Sequence, residues 1–342
     1  MSSVTIFVGL DYHQEMVQLC VLDEVGRVLT NRSLLNNTNV IRKTAERFGT
    51  VQAAAIEACC GAANLAQELR EGGWSVSLAH PGFVARMKQN PDKTDFGDAR
   101  LLADLLRVGY LPKVWLAPER IRRLRRLVRY RRQLVDQRRN LKLRIRAVLR
   151  ENRVKPNERM SAWTKRWRSW LEREAELHED DRWIVAEHLE AMDRLSQKIC
   201  EVEALLIQKT QDDLVIAQLL RLPGVGLVTA VTLRAEVGQF DRFQSGKQLA
   251  KFCGLSPRNA SSGQRQADAG VIQAGNPALR SVLAELAQRL AWRMKGRWSK
   301  LAARLLLKGK NRNVVVMAVA NRFVRWLYHQ MQPDQLTLSQ AV

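Results

Sequence analysis

The chain has 342 residues, enough for two or three domains with a full hydrophobic core. Lysine and arginine number 56 against 34 aspartates and glutamates, a formal charge of +22; that excess points away from small neutral metabolites and toward a polyanion, nucleic acid first. No apolar run approaches the ~18 residues that span a bilayer, the N-terminus has no signal-peptide pattern, and five cysteines without a C-x-x-C pair suit reduced thiols in a cytosol better than structural zinc.

Val4 to Leu10 is β-rich and delivers Asp11. Val17 to Leu22 reads as a second strand, Asp23-Glu24-Val25-Gly26 as its turn, and Arg27 to Leu34 as the returning strand. A short helix is expected over 41–48, then an apolar strand, Ala53 to Ile56, that delivers Glu57. A helix through Leu65 and Leu69 stops at Gly72-Gly73, Val76 to Ala79 is another strand, and Pro81 opens the next segment. Residues 96–108 read as a helix and Lys113 to Leu116 as a last strand. Three meandering strands followed by alternating helices and strands predict an RNase H-like (RuvC-like) α/β domain.

Residues 121–150 hold thirteen Lys or Arg and one acid, Asp136, with apolar residues at helical spacing. This is a long basic amphipathic helix, expected to end near Pro156. One sign of charge dominates, so its Arg122, Arg123, Arg125, Arg126, Arg129, Arg131, Arg132, Arg138 and Arg139 are candidates for nucleic-acid phosphates. Trp163, Trp167 and Trp170 recur at i, i+4 and i+7, a stripe better suited to helix packing than to base stacking. Between 172 and 203 the charge reverses, with eleven acids beside a further apolar stripe. Antiparallel helices forming a coiled coil or helical hairpin are expected there.

The expected domains are therefore 1–155, ending in the basic helix; 156–212, helical; and 213–342, mainly α. In the last of these, Leu222-Pro223-Gly224-Val225-Gly226 has the form of a helix-hairpin-helix turn or a plain helix–helix turn. A polar, Ser-rich, basic loop, Gly254 to Arg265, leads through Gly275-Asn276-Pro277 into a helix carrying Arg280.

Two constellations could do chemistry. Asp95 and Asp98 stand three residues apart at a helix start, on one face. Paired ionised carboxylates repel, and with Asp11 and Glu57 at strand ends the set calls for a hard divalent cation, Mg²⁺ or Mn²⁺. The second is Ser262, with Arg258 and Arg265 nearby in sequence and Arg280 further on; most Ser-Gly pairs are ordinary turns, but arginines could stabilise a serine alkoxide and bind an attacked phosphate.

Both constellations, in this order, resemble the insertion-sequence one-ten family of transposases, whose members are bridge-RNA-guided DNA recombinases. The marks are Val8-Gly9-Leu10-Asp11, Ile56-Glu57-Ala58, Lys93-Thr94-Asp95-x-x-Asp98-Ala99, Leu222-Pro223-Gly224-Val225-Gly226, Gly254-Leu255-Ser256-Pro257 with Ser262-Gly263, and Gly275-Asn276-Pro277-Ala278-Leu279-Arg280. After the glutamate the family pattern has Thr-Gly and an aromatic, where this chain has Cys59-Cys60-Gly61.

The resemblance implies a RuvC-like domain, a coiled coil and a C-terminal transposase domain. It implies metal-binding acids at Asp11, Glu57, Asp95 and Asp98, and a nucleophilic Ser262 that forms a covalent phosphoserine link to DNA. It further implies donor and target DNA, a structured guide RNA, a dimer or tetramer, and no membrane. The working place would be the bacterial cytoplasm, at the nucleoid. The main alternative is a RuvC-like metal-dependent nuclease of the junction-resolvase type, in which water attacks and Ser262 is a loop residue. A non-enzymatic architectural binder would leave the four acids without a purpose.

Overall fold

The computed structural model describes residues 4–88, 94–156, 158–259, 268–272 and 274–332. By internal contacts the chain divides into two units, Met1–Pro118 and Glu119–Val342. Among the described residues no helix is long and apolar enough to cross a membrane.

The first unit opens with an antiparallel meander, β1 (Thr5–Tyr12), β2 (Met16–Asp23) and β3 (Val28–Leu35). There follow α1 (Thr38–Ala45), β4 (Thr50–Glu57), α2 (Ala62–Glu71), β5 (Val76–Ala79), α3 (Pro81–Met87), α4 (Asp95–Arg107) and β6 (Lys113–Val114). The sheet order is β3-β2-β1-β4-β5-β6; β4 is parallel to β1, β5 parallel to β4, and β6 antiparallel to β5. This mixed α/β arrangement is compatible with the expected RNase H-like layout. Helix α1 starts at Thr38, earlier than expected, because Asn37 caps it by accepting from the amides of Asn39 and Val40.

Alternation along β1 and β4 sorts side chains between two helical layers. Ile6, Val8, Leu10, Ala54 and Ile56 pack with Ile41, Leu65 and Leu69 of α1 and α2. Phe7, Ala53 and Ala55 pack with Leu102 and Leu106 of α4.

The second unit is mostly helical: α5 (Glu119–Glu151), α6 (Lys165–Arg173), α7 (Glu179–Thr210), α8 (Leu214–Leu220), α9 (Leu227–Val237), α10 (Gly246–Phe252), a small hairpin of β7 (Pro257–Asn259) and β8 (Asp268–Val271), α11 (Pro277–Trp292), α12 (Arg297–Leu307) and α13 (Arg312–Gln330). The basic helix, expected at the end of the first domain, groups by its contacts with this unit. It also ends before Pro156: Arg153 turns to φ +58°, and the Val154 amide donates back to the Leu149 carbonyl.

Helices α5 and α7 pair antiparallel. Arg131 meets Glu203, Arg138 meets Ser196 and Asn152 meets Asp181, so one helix ascends as the other descends. At its far end the pair packs on Trp167, Trp170 and Leu171, all buried, which assigns the tryptophan stripe to packing. The Pro-Gly-Val-Gly turn joins α8 to α9 and is seated on α11. Gly224 takes φ +73° with Leu286, Leu290 and Met294 close by, and Arg289 donates to its carbonyl at 2.9 Å.

Candidate active site

Asp11 and Glu57 share a place because β1 and β4 are parallel and in register. Leu10 pairs with Ile56, so the next residue on each strand is an acid at the same level. Alternation puts Gly9, Asp11 and Glu57 on the α4 face of the sheet.

Gly9 is what lets α4 lie directly on β1. A Cβ built there would stand 1.9 Å from the Ala99 carbonyl oxygen and 2.7 Å from the Ala103 nitrogen. Thr94 caps α4 by accepting from the Gly97 amide at 3.2 Å. Asp95 and Asp98 occupy its first turn, where the helix dipole favours anions.

Two of the acids, Asp11 and Asp95, meet at a histidine that the sequence reading did not nominate. His13 Nε2 lies 3.6 Å from an Asp11 carboxylate oxygen and 3.2 Å from one of Asp95. Asp11, His13 and Asp95 each offer a ligand atom, all within 4.8 Å of one another. Asp98 is buried, and Lys88 Nζ holds its Oδ1 at 2.5 Å. Burial pushes the Asp11 carboxyl above the usual carboxylate range; His13 opposes this, while the charges of Asp95, Asp98 and Glu57 raise it further. All three other acids are thus within electrostatic reach of Asp11. Carboxylate oxygens with an imidazole nitrogen beside them are donors suited to a divalent cation. His13 was findable: it stands two residues beyond Asp11 at a strand end, an interval that returns to the same face.

Ser262 and Arg265 lie outside the described residues, as does Lys93. In sequence, Ser262 and Arg265 fall between β7 and β8, where Pro257 pairs with Val271 and Asn259 with Asp268. Arg258 stands exposed on β7. Arg280 donates from Nε to the Gly254 carbonyl at 3.0 Å and from Nη2 to the Ile272 carbonyl at 2.9 Å. It ties together the two chain segments that flank the hairpin. A Cβ on Gly275 would stand 2.2 Å from the Gly254 Cα, so glycine is needed where these segments cross. Asn276 caps α11 by accepting from the Ala278 and Leu279 amides, and its Nδ2 donates to buried Glu236 at 2.9 Å.

Residues 8–153 match the DEDD transposase model of IS110, described as "Transposase", and residues 216–303 match the model described as "Transposase IS116/IS110/IS902 family"; together they cover more than half of the chain. The chain belongs to the IS110 transposase family. It is similar to the transposase for insertion sequence element IS1111A of Coxiella burnetii, 28% identical over 93% of this chain and 88% of that one. A putative transposase of Sinorhizobium fredii is 29% identical over 76% of this chain and 70% of its own length. A pilin gene-inverting protein of Moraxella bovis is 30% identical over 31% of this chain and 34% of its own length. The IS110 transposase is therefore an enzyme of DNA strand transfer, its partner is DNA, and the DEDD family together with the acid cluster points to a divalent metal.

The transposase's basic helix is less free than its sequence suggests. Arg129 grips Glu236 with two nitrogens, at 2.9 and 3.1 Å, and Arg125 donates to the Ala235 carbonyl at 3.0 Å. Arg131 pairs with Glu203, Arg138 with Ser196, and Arg132 with Asp136 and Ser281. Arg123 pairs with Glu119, and Arg122 is also engaged. Of the nominated arginines on α5, Arg126 and Arg139 are the exposed ones without a bonding partner among the described residues.

Proposed function

We propose that this IS110 transposase cuts and rejoins DNA strands through a covalent phosphoserine intermediate at Ser262, directed by a structured guide RNA that pairs with donor and target DNA. Asp11, Glu57, Asp95 and Asp98, with His13 beside them, would hold Mg²⁺ or Mn²⁺, which supplies Lewis-acid polarisation of a phosphate oxygen when bound. The Ser262 hydroxyl loses its proton as its Oγ forms the bond to phosphorus. The bond from phosphorus to the leaving strand oxygen breaks, and that oxygen takes up a proton. Attack of another strand's hydroxyl reverses the exchange, so no hydrolysis intervenes and no nucleotide cofactor is needed. Arg258 and Arg265 would neutralise the attacked phosphate, and Arg280, bonded to the Gly254 and Ile272 carbonyls, would add positive charge beside the hairpin. The paired helices α5 and α7 would act as a coiled-coil spacer and self-association surface in a dimer or tetramer. The place of action would be the nucleoid in a bacterial cytoplasm.

The observation that carries this reading is the gathering of three carboxylates, Glu57, Asp95 and Asp98, about Asp11 in a chain of +22 net charge. The name of the Moraxella relative, a gene-inverting protein, supports cutting with rejoining over cutting alone. In the test, Ser262→Ala is incubated with DNA carrying the element's ends, and protein–DNA adducts are separated on a denaturing gel. Adduct and cleavage should both disappear. Cleavage that survives in Ser262→Ala would establish the water-using nuclease instead. Asp95→Asn with Asp98→Asn should abolish the stabilisation of the protein by Mn²⁺, which Ser262→Ala should keep. RNA recovered with the purified protein should be one discrete structured transcript; a random mixture would remove the guide from the proposal.

A further inference from the structure

From Leu286 to Gln332 the sequence contains eleven Lys or Arg and no Asp or Glu. The region covers the end of α11 and all of α12 and α13. Among the described residues none of these cations forms an ion pair, in contrast to the arginines of α5. Arg297 lies over two indoles at once, 4.2 Å from the Trp298 centroid and 4.2 Å from that of Trp326. A guanidinium stacked in this way is held flat and keeps its in-plane N–H donors for a planar or tetrahedral oxyanion. Arg304 and Arg322 are exposed beside it and line the same shallow pocket.

Arg322 has a second neighbourhood. It borders an apolar cavity of about 460 Å³ whose walls include Pro257 and Val271, the residues paired at the base of the β7–β8 hairpin. A cationic strip thus runs from the base of the Ser262-bearing segment across α13 to α12.

We propose that this strip is a DNA-backbone interface, on which Arg297, Arg304 and Arg322 hold phosphates of the strand flanking the one at Ser262. Its place along the strand rests on the function proposed above; the binding itself does not. Among the described residues these cations have no carboxylate in reach and stay attracted to polyanions, whereas Arg123, Arg125, Arg129, Arg131 and Arg132 of α5 already have theirs. Arginine forks fit phosphodiester oxygens, and DNA is the partner on which the family acts.

Binding of full-length protein to a 30-base-pair duplex is measured against salt concentration in EDTA, where no strand is cut. The triple variant Arg297→Gln, Arg304→Gln, Arg322→Gln should lower the slope of log affinity against log salt by about 2 to 3, at about 0.9 per phosphate contact, and weaken binding at least tenfold at ~0.15 M salt. The control is Arg166→Gln, Arg194→Gln, Lys198→Gln, which removes the same charge from cations paired with Glu158, Glu190 and Glu201. It should leave the slope unchanged. Arg304→Gln with Arg322→Gln touches two unbonded surface side chains and should fold as wild type, with the slope lower by about 2. An unchanged slope in the strip variants, or an equal drop in the control, overturns the interface. A drop seen with an RNA hairpin but not with the duplex overturns the assignment to DNA. Loss of the adduct in Ser262→Ala reads the serine mechanism separately: wild type without adduct but with a strip-dependent slope would reject the serine and keep the interface.

Discussion

Replacing Gly9 by alanine tests how the acid cluster is built. The new Cβ would lie 1.9 Å from the Ala99 carbonyl oxygen, with the Ala103 nitrogen at 2.7 Å. Both are backbone atoms of α4, so no side-chain rotation relieves the clash. To restore ordinary contact the helix must retreat from β1 by roughly 1.5 Å, a large movement in a close-packed layer. Overpacking of this kind costs about 3 kcal/mol, which for a unit of ~100 residues lowers the unfolding midpoint by roughly 10–20 °C. The retreat also carries Asp95 and Asp98 away from Asp11 and Glu57. Misplacement by about 1 Å costs on the order of 100-fold in rate, so strand cleavage should fall at least that far. Thermal unfolding with and without Mn²⁺ gives the stability and the metal response in one experiment, and a cleavage assay gives the rate. Gly97→Ala is the internal control: only the Thr94 hydroxyl oxygen comes near its Cβ, at 3.0 Å, and stability should stay within about 1 kcal/mol of wild type. Should Gly9→Ala melt with wild type and keep the full Mn²⁺ response, the close approach does not position the acids.

Glu236→Gln removes a buried carboxylate held by Arg129, near Arg125 and bonded to Asn276; it should destabilise the second unit by about 3 kcal/mol, and a denaturation midpoint equal to wild type would show that the network is slack. Arg126→Gln with Arg139→Gln should reduce the salt slope of DNA binding by about 2 with no loss of thermal stability, whereas Arg129→Gln with Arg131→Gln should lower the melting temperature first; the reverse pattern would mean that the α5 pairings do not hold in solution. Lys88 Nζ neutralises Asp98, so Lys88→Gln should tighten Mn²⁺ binding by about fivefold, the worth of one partly exposed ion pair; calorimetry showing equal or weaker binding would free Lys88 from any competition with the metal.

Much of the acid set was readable because each member ends a local pattern: Asp11 an apolar strand, Glu57 another, Asp95 and Asp98 the first turn of a helix. The parallel pairing that aligns Leu10 with Ile56 joins residues 46 apart in sequence, and no local pattern encodes it. His13 and Lys88 were missed for a related reason, since each gains its meaning from a carboxylate on another element. The start of α1 turned on the Asn37 cap, and the end of α5 on Arg153 in a left-handed conformation rather than on Pro156. In the last third, the motif from Gly275 to Arg280 was legible as important, but not the work of Asn276 in capping α11 or of Arg280 in tying the segments that flank the hairpin.

Charge shows the limit of local reading most clearly. Thirteen cations between 121 and 150 draw attention in the sequence, yet Arg131 finds its partner 72 residues away at Glu203 and Arg129 finds one 107 residues away at Glu236. The acidic run at 172–203 meets the basic helix at Glu203, which pairs with Arg131, while Glu172 and Asp193 pair with Arg168 of α6, and Glu190 and Glu201 with Arg194 and Lys198 of α7 itself. A cation already bonded to a carboxylate gains little from a phosphate, because it must give up one anion to take the other. Between 286 and 332 there is no acid to give up. An acid-free stretch is therefore a better guide to a polyanion surface than a dense basic one. The salt-slope contrast between the α5 pairs and the α12–α13 strip decides the matter: equal slopes per cation removed would mean that internal pairing does not subtract from the charge a partner sees.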